Sequence, residues 1–262
     1  MPRRTIVPKE LTETIPLLNN ADLIGRDDEL ELLQKALWNQ KQAVLVNGIG
    51  GIGKTALAQS YIANSFERYA HIAWVQVISD DFKQDLISTS GFLQTLNVSP
   101  EGNVDSIFTQ VIQAMRSLQQ KPNLLVIDDA SNSLAKIRDS LPRQPQWHLL
   151  VTSREEIQGF ESKQLGFLTE TSAISLFKRH YQRTDLNDSD VAFLVRLVDY
   201  HTLTIELFAK IAQRQRTTLA KIQNAIEDDL KANVYINHQH KGEKVERIRS
   251  YLCSIFTTEG LS

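Results

Sequence analysis

The chain has 262 residues, 42% of them apolar, enough to bury one large core or two modest ones. A formal net charge of −2 gives it no general attraction to nucleic acid or to an acidic membrane surface. The single cysteine, Cys253, excludes an internal disulfide framework; no apolar run is long enough to span a membrane and the start leads into no signal-peptide core, so the expected location is the cytoplasm.

Residues 1–21, with Pro2, Pro8 and Pro16 among polar neighbours, have no clear periodicity and read as an extended arm. Leu23-Ile24-Gly25-Arg26 then leads into a helix that opens on Asp27, Asp28 and Glu29 and carries Leu30, Leu33 and Leu37 on one face. Those three acids read as favourable charge at a helix N-terminus rather than as a metal site. Ala43-Val44-Leu45-Val46 predicts a strand, and a helix-forming run extends from Lys54 to about Phe66. Between them lies Gly48-Ile49-Gly50-Gly51-Ile52-Gly53-Lys54-Thr55, which fits G-x-x-x-x-G-K-[ST], the phosphate-binding loop. The glycines let successive N–H groups turn inward around a polyphosphate, and the following helix adds its positive end. Lys54 would reach the β- and γ-phosphates, and the Thr55 hydroxyl would sit on Mg²⁺. Gly48 through Thr55, and Ala56 in the first turn of that helix, are the expected ATP- or ADP-binding residues.

His71-Ile72-Ala73-Trp74-Val75-Gln76-Val77 predicts a second strand, followed by two helical segments. In the second of these, Val104, Ile107, Phe108, Val111, Ile112, Met115 and Leu118 form an apolar stripe that should pack on a sheet. Leu124-Leu125-Val126-Ile127 reads as a buried parallel strand ending in Asp128 and Asp129. Ligands of open α/β sheets lie outside the carboxyl ends of strands, so Asp128 is the expected Mg²⁺ partner, and Asp129 could orient a water. The alternative is a capped strand-to-helix turn before Ser131. Trp147-His148-Leu149-Leu150-Val151-Thr152-Ser153-Arg154 is a third buried strand. Its Arg154 either reaches a γ-phosphate or makes a surface salt bridge with Glu155 or Glu156.

From about Lys163 the sequence turns helical. Thr169 or Thr171 can cap one helix, Asp188 or Ser189 a second, and runs from Leu203 to about Ile211 and from Leu219 to about Leu230 follow. Asn233 to Lys241 reads as a linker, and its His238 and His240, with no Cys or acidic cluster beside them, read as solvated. Val245, Ile248, Tyr251, Leu252, Ile255 and Phe256 mark a last helix.

In this order the stretches resemble the NB-ARC branch of the STAND class of signal-transduction ATPases. Leu23-Ile24-Gly25-Arg26 is similar to the entry motif beside adenine, Gly48 to Thr55 to Walker A, and Leu124 to Asp129 to Walker B. Val151-Thr152-Ser153-Arg154 is similar to the first sensor, and His201-Thr202-Leu203-Thr204-Ile205-Glu206-Leu207 stands where the family has Gly-Leu-Pro-Leu, with Thr204 in place of its Pro. The resemblance implies a P-loop NTPase of α/β class, a parallel sheet flanked by helices, over residues 22–162 after the arm. A small helical lid would occupy 163–232, and a linker with the start of a winged helix 233–262. It also implies Leu23, Ile24, Arg26, Leu203 and Thr204 near the base, Lys54, Asp128, Asp129 and Arg154 as catalytic or sensing groups, and Thr55 and Asp128 on Mg²⁺. ADP would hold the protein closed; ATP would open it and permit self-association. Slow hydrolysis would reset it, since Asp129 stands where motor ATPases carry Glu. Sensor and effector domains would lie outside these residues, without a nucleic-acid or membrane partner. The competing readings are an AAA-type remodelling or DNA-loading ATPase and a scaffold that binds nucleotide without hydrolysis.

Overall fold

The computed structural model describes residues 9–39, 43–79 and 81–214. The expected helix at 219–230, the linker with His238 and His240, and the start of a winged helix with Cys253 lie outside the described residues. These contain no helix long and apolar enough to cross a membrane.

Two compact units divide the chain: Met1–Gly48 with Lys54–Leu165, and Ile49–Gly53 with Gly166–Ser262. In the first, helix α1 (Asp27–Gln34) continues through a wider π turn to Asn39, β1 is Val44–Asn47, α2 is Lys54–Ser65 and β2 is Ile72–Gln76. Then come α3 (Phe82–Ser88), α4 (Phe92–Thr95), α5 (Val104–Ser117), β3 (Asn123–Ala130), α6 (Leu134–Ile137), β4 (Trp147–Ser153) and β5 (Glu161–Gln164). The strands form one parallel sheet in the order β2-β3-β4-β1-β5. The chain is thus an α/β P-loop-type fold. Its central strands are buried on both faces, as parallel strands covered by helices require, which explains the unbroken apolar runs Val44-Leu45-Val46 and Leu124-Leu125-Val126-Ile127.

The α5 stripe is core: Ile107, Phe108, Val111, Ile112 and Met115 pack in one cluster with Val75, Leu125, Ile127 and Trp147. Each such side chain contributes roughly 1.5–3 kcal/mol on burial. Trp147 is fully buried, and its indole N–H donates to the Met115 carbonyl at 3.1 Å. In the described part of the arm, Ile72 N donates to Lys9 O at 2.7 Å and Leu11 N to Ile72 O at 2.8 Å, along the outer edge of β2, and Asn20–Asp22 form a 3-10 turn. Leu11 thereby becomes fully buried.

Strand β5 has no counterpart among the expected elements. Its residues, Glu161-Ser162-Lys163-Gln164, are polar and largely exposed, and only pairing with β1 makes them a strand.

The second unit contains α7 (Glu170–His180), α8 (Asp188–Leu197) and α9 (Thr202–Arg214). Ala173, Leu176, Phe177, Val191, Leu194, Val195, Ile205 and Phe208 are among its buried residues. Thr169 caps α7 by accepting from Ser172 N. The cap of α8 is Asn187, one residue before Asp188 and two before Ser189, the expected caps, because Asp190 at the third helical position completes a reciprocal capping box with it.

Candidate functional site

At the carboxyl ends of β1, β3 and β4 the first unit gathers Lys54, Thr55, Asp128, Asp129, Thr152 and Arg154. The amide of Gly48 donates to Ser153 O at 3.3 Å, which ties the start of the phosphate loop to the end of β4. Gly48 has φ 155° and Gly53 φ 111°, values suited to glycine. Lys54 is buried and donates from Nζ to the Gly48 carbonyl at 2.9 Å. Burial pushes its ammonium pKa down; Asp129 pulls it up, Arg154 pushes it further down, and Asp128 pulls it up.

A bulge at the end of β3 decides where the two acids go. Regular pairing with β4 stops at Ile127 and resumes at Ala130, opposite Ser153. Asp129, at φ 59°, takes the left-handed conformation that Asp tolerates better than most residues. Asp128 therefore points inward and is only 2% exposed, while the Asp129 side chain is 45% exposed. The Thr55 hydroxyl donates to Asp128 Oδ1 at 2.9 Å, and the Thr152 hydroxyl donates to the same oxygen at 2.5 Å. Thr152 also accepts from Asp129 N at 2.9 Å, so one hydroxyl fixes both acids. Burial pushes the Asp128 pKa up, and the bonds from Thr152 and Thr55 pull it back. Asp128 caps no helix; its carboxylate is taken by the two threonines.

Arg154 pairs with Asp129, Nε to Oδ1 at 3.6 Å, rather than with Glu155 or Glu156. Glu155 accepts instead from Asn132 Nδ2 at 2.6 Å. Ala56 follows Thr55 in the first turn of α2.

Leu23 and Ile24 are half-buried and lead through Gly25, φ 69°, to Arg26. Arg26 is 3% exposed and pairs with Glu29 at 2.9 Å. Asp27, Asp28 and Glu29 form the first turn of α1, and no cluster of three or more His, Cys, Asp or Glu suited to a metal occurs among the described residues.

The middle of the phosphate loop, Ile49, Gly50, Gly51, Ile52 and Gly53, belongs to the second unit. There His201 Nε2 lies 2.9 Å from Gly50 O, Leu203 N donates to Gly51 O at 3.1 Å, and the Thr202 hydroxyl donates to Ile52 O at 2.9 Å. Thr204 is fully buried, its hydroxyl 2.8 Å from His201 Nδ1. Thr152, His201 and Thr202 stand inside sequence motifs whose residue types assign their side chains no task. The available signals were a hydroxyl in an otherwise apolar buried strand, and a histidine where the resemblance has glycine.

The NB-ARC domain model matches residues 26–186. Probable disease resistance RPP8-like protein 2 of Arabidopsis thaliana is 29% identical over 184 residues, 65% of this chain and 20% of that protein. Disease resistance protein RPH8A of the same plant is 30% identical over 167 residues, covering 61% of this chain and 18% of the relative. The chain thus spans about a fifth of the length of the curated relatives it matches. Among solved structures, the Walker-type ATPase PABY2304 of Pyrococcus abyssi superposes with a TM-score of 0.56 at 13% identity, covering 95% of this chain and 88% of that one, a likeness of fold alone. The matched span covers more than half of the chain and includes Gly48 to Thr55 and Leu124 to Asp129, and the chain belongs to the NB-ARC family.

Proposed function

We propose that the chain is the nucleotide-controlled switch of a signalling or defence protein, holding ADP in a closed form and ATP in an open, self-associating one. The observation that carries the reading is the convergence of Thr55 and Thr152 on the buried carboxylate of Asp128. A hydroxyl and a carboxylate are the hard oxygen donors that Mg²⁺ takes, usually together with substrate phosphates. Asp128 and Lys54 are both shifted by burial toward their neutral forms, so a cation beside one and a polyphosphate beside the other would restore both charges. Thr55 and Asp128 would hold Mg²⁺, which when bound offsets phosphate charge.

The chain's own residues do the rest. The loop from Gly48 to Thr55, with Ala56 behind it, offers backbone N–H groups to the phosphates. Lys54 supplies a point charge. Leu23, Ile24 and Arg26 would flank the base. Asp129 would orient a water, and Arg154 would leave Asp129 for a γ-phosphate and so tell ATP from ADP. A carboxylate as short as Asp129 in the water-orienting position favours slow hydrolysis that resets a switch. Nucleotide biases such a protein only through different affinity for its two forms, and inverting a 99:1 population needs a ratio of about 10⁴. The similarity to disease resistance proteins favours a defence setting in the cytoplasm, with sensor and effector segments outside this chain. Turnover by the purified chain with and without DNA tests the reading: slow hydrolysis indifferent to DNA is expected, and fast, DNA-stimulated hydrolysis would contradict it.

A further inference from the structure

Three successive carbonyls of the phosphate loop, those of Gly50, Gly51 and Ile52, each meet a group from three successive residues, His201, Leu203 and Thr202. A carbonyl oxygen only accepts, so His201 Nε2 carries the proton, and Nδ1 is left to accept from Thr204, whose hydroxyl lies at 2.8 Å and whose amide lies at 3.4 Å. The ring is fully buried, and the residues before it are fixed as well. Asp199 and Tyr200 turn at φ 49° and 61°, Tyr200 O accepts from Leu168 N at 3.2 Å, and the Tyr200 hydroxyl donates to Glu170 at 3.1 Å.

We propose that His201, Thr202 and Leu203 are positioning residues for the phosphate loop, setting its amides for phosphate whatever the base. In a trans peptide the carbonyl of one residue and the N–H of the next point to opposite sides. Holding the carbonyls of Gly50, Gly51 and Ile52 toward α9 therefore turns the N–H groups of Gly51, Ile52 and Gly53 to the other side as a set, which is the nest a polyphosphate needs. The approach depends on glycine: Gly51 sits at φ 74°, and a Cβ there would lie 2.9 Å from Leu203 Cβ and 3.0 Å from His201 Cε1. Leu203 is thus engaged with the loop and the buried Thr204 with His201. A carbonyl that has lost its donor can rotate, and with it the next amide, so part of the ordering cost is then met by the ligand.

The inference rests on the nucleotide reading, and one titration set separates the two. Calorimetry with inorganic pyrophosphate and with ADP, both with Mg²⁺, is run on the parent chain, His201→Phe, Thr202→Val and His201→Gln. His201→Phe and Thr202→Val are expected to weaken both ligands by the same factor, about tenfold or less for one hydrogen bond. His201→Gln, whose amide can still donate to Gly50 O, should retain most of the affinity. Thr202→Val keeps its shape at a half-buried position, so it remains decisive if His201→Phe does not fold, which a melting scan without ligand reveals. Loss of ADP affinity with pyrophosphate unchanged would assign the segment to the base and overturn the proposal, as would no loss for either ligand. A parent chain that binds neither ligand would refute the nucleotide reading itself, and this inference with it.

Discussion

The guanidinium of Arg154 stands 3.6 Å from the carboxylate of Asp129, with the two side chains 64% and 45% exposed. An ion pair this open to water is worth between nothing and about 1 kcal/mol, so it is easily exchanged for a stronger anion. Arg154→Ala is therefore expected to leave the melting temperature nearly unchanged and to spare ADP affinity while lowering that of ATP. Unchanged affinity for a non-hydrolysable ATP analogue would return Arg154 to a surface role.

Lys54 is buried against its own loop and faces Asp128 and Asp129 electrostatically. Lys54→Ala removes the cation a polyphosphate would meet. Because bound ligand stabilises by RT ln(1 + [L]/Kd), the rise in melting temperature on adding nucleotide should largely disappear in the variant. Equal rises in the variant and the parent would contradict its assignment.

Thr152 donates to Asp128 and accepts from Asp129 N, so Thr152→Val removes one bond from a buried carboxylate and orphans an amide at the bulge. The expected cost is about 1–3 kcal/mol in denaturant unfolding, with a greater Mg²⁺ requirement for nucleotide binding. A stability within experimental error of the parent would mean that the bulge does not depend on this hydroxyl.

Trp38, Tyr61, Tyr69 and His148 form a hydrogen-bonded chain. The indole of Trp38 donates to Tyr61 at 3.0 Å, the two tyrosine hydroxyls are 2.6 Å apart, and Tyr69 O is 2.9 Å from His148 Nδ1. Trp38 only donates, whereas each tyrosine hydroxyl can donate and accept, and neutral His148 can accept from Tyr69 at Nδ1. Burial, assisted by Arg68, lowers the His148 pKa from 6.5 to about 4. The unfolded chain therefore binds this proton first as pH falls. The stabilisation is fully present above about pH 6.5 and is lost progressively toward about pH 4. His148→Phe should be less stable than the parent at pH 7, and the difference should shrink on acidification. A constant difference across that window would show that His148 does not titrate as described.

The sheet is legible where strands are buried on both faces, because Val44-Leu45-Val46 and Leu124-Leu125-Val126-Ile127 need continuous apolar sequence there. Strand β5 escapes the same logic, since Glu161-Ser162-Lys163-Gln164 owes its form to backbone pairing and not to burial. Asn187, Asp188 and Ser189 are all competent caps, and only the reciprocal bond with Asp190 selects the first. Within the candidate site, residue types at fixed spacing marked Lys54, Thr55 and Asp128. Spacing could not reveal the bulge that separates Asp128 from Asp129, nor the bonds from His201 and Thr202 to loop carbonyls, because those depend on strand register and on contacts distant in sequence.

The most direct test of the switch is calorimetric titration of the purified chain with ADP and with a non-hydrolysable ATP analogue, each with and without Mg²⁺. One site per chain is expected for both nucleotides, with binding of the ATP analogue dependent on Mg²⁺ and on Asp128, and clearly different affinities for the two. No binding of either nucleotide at millimolar concentration, or equal affinity for both with no effect of Mg²⁺, would contradict the switch reading.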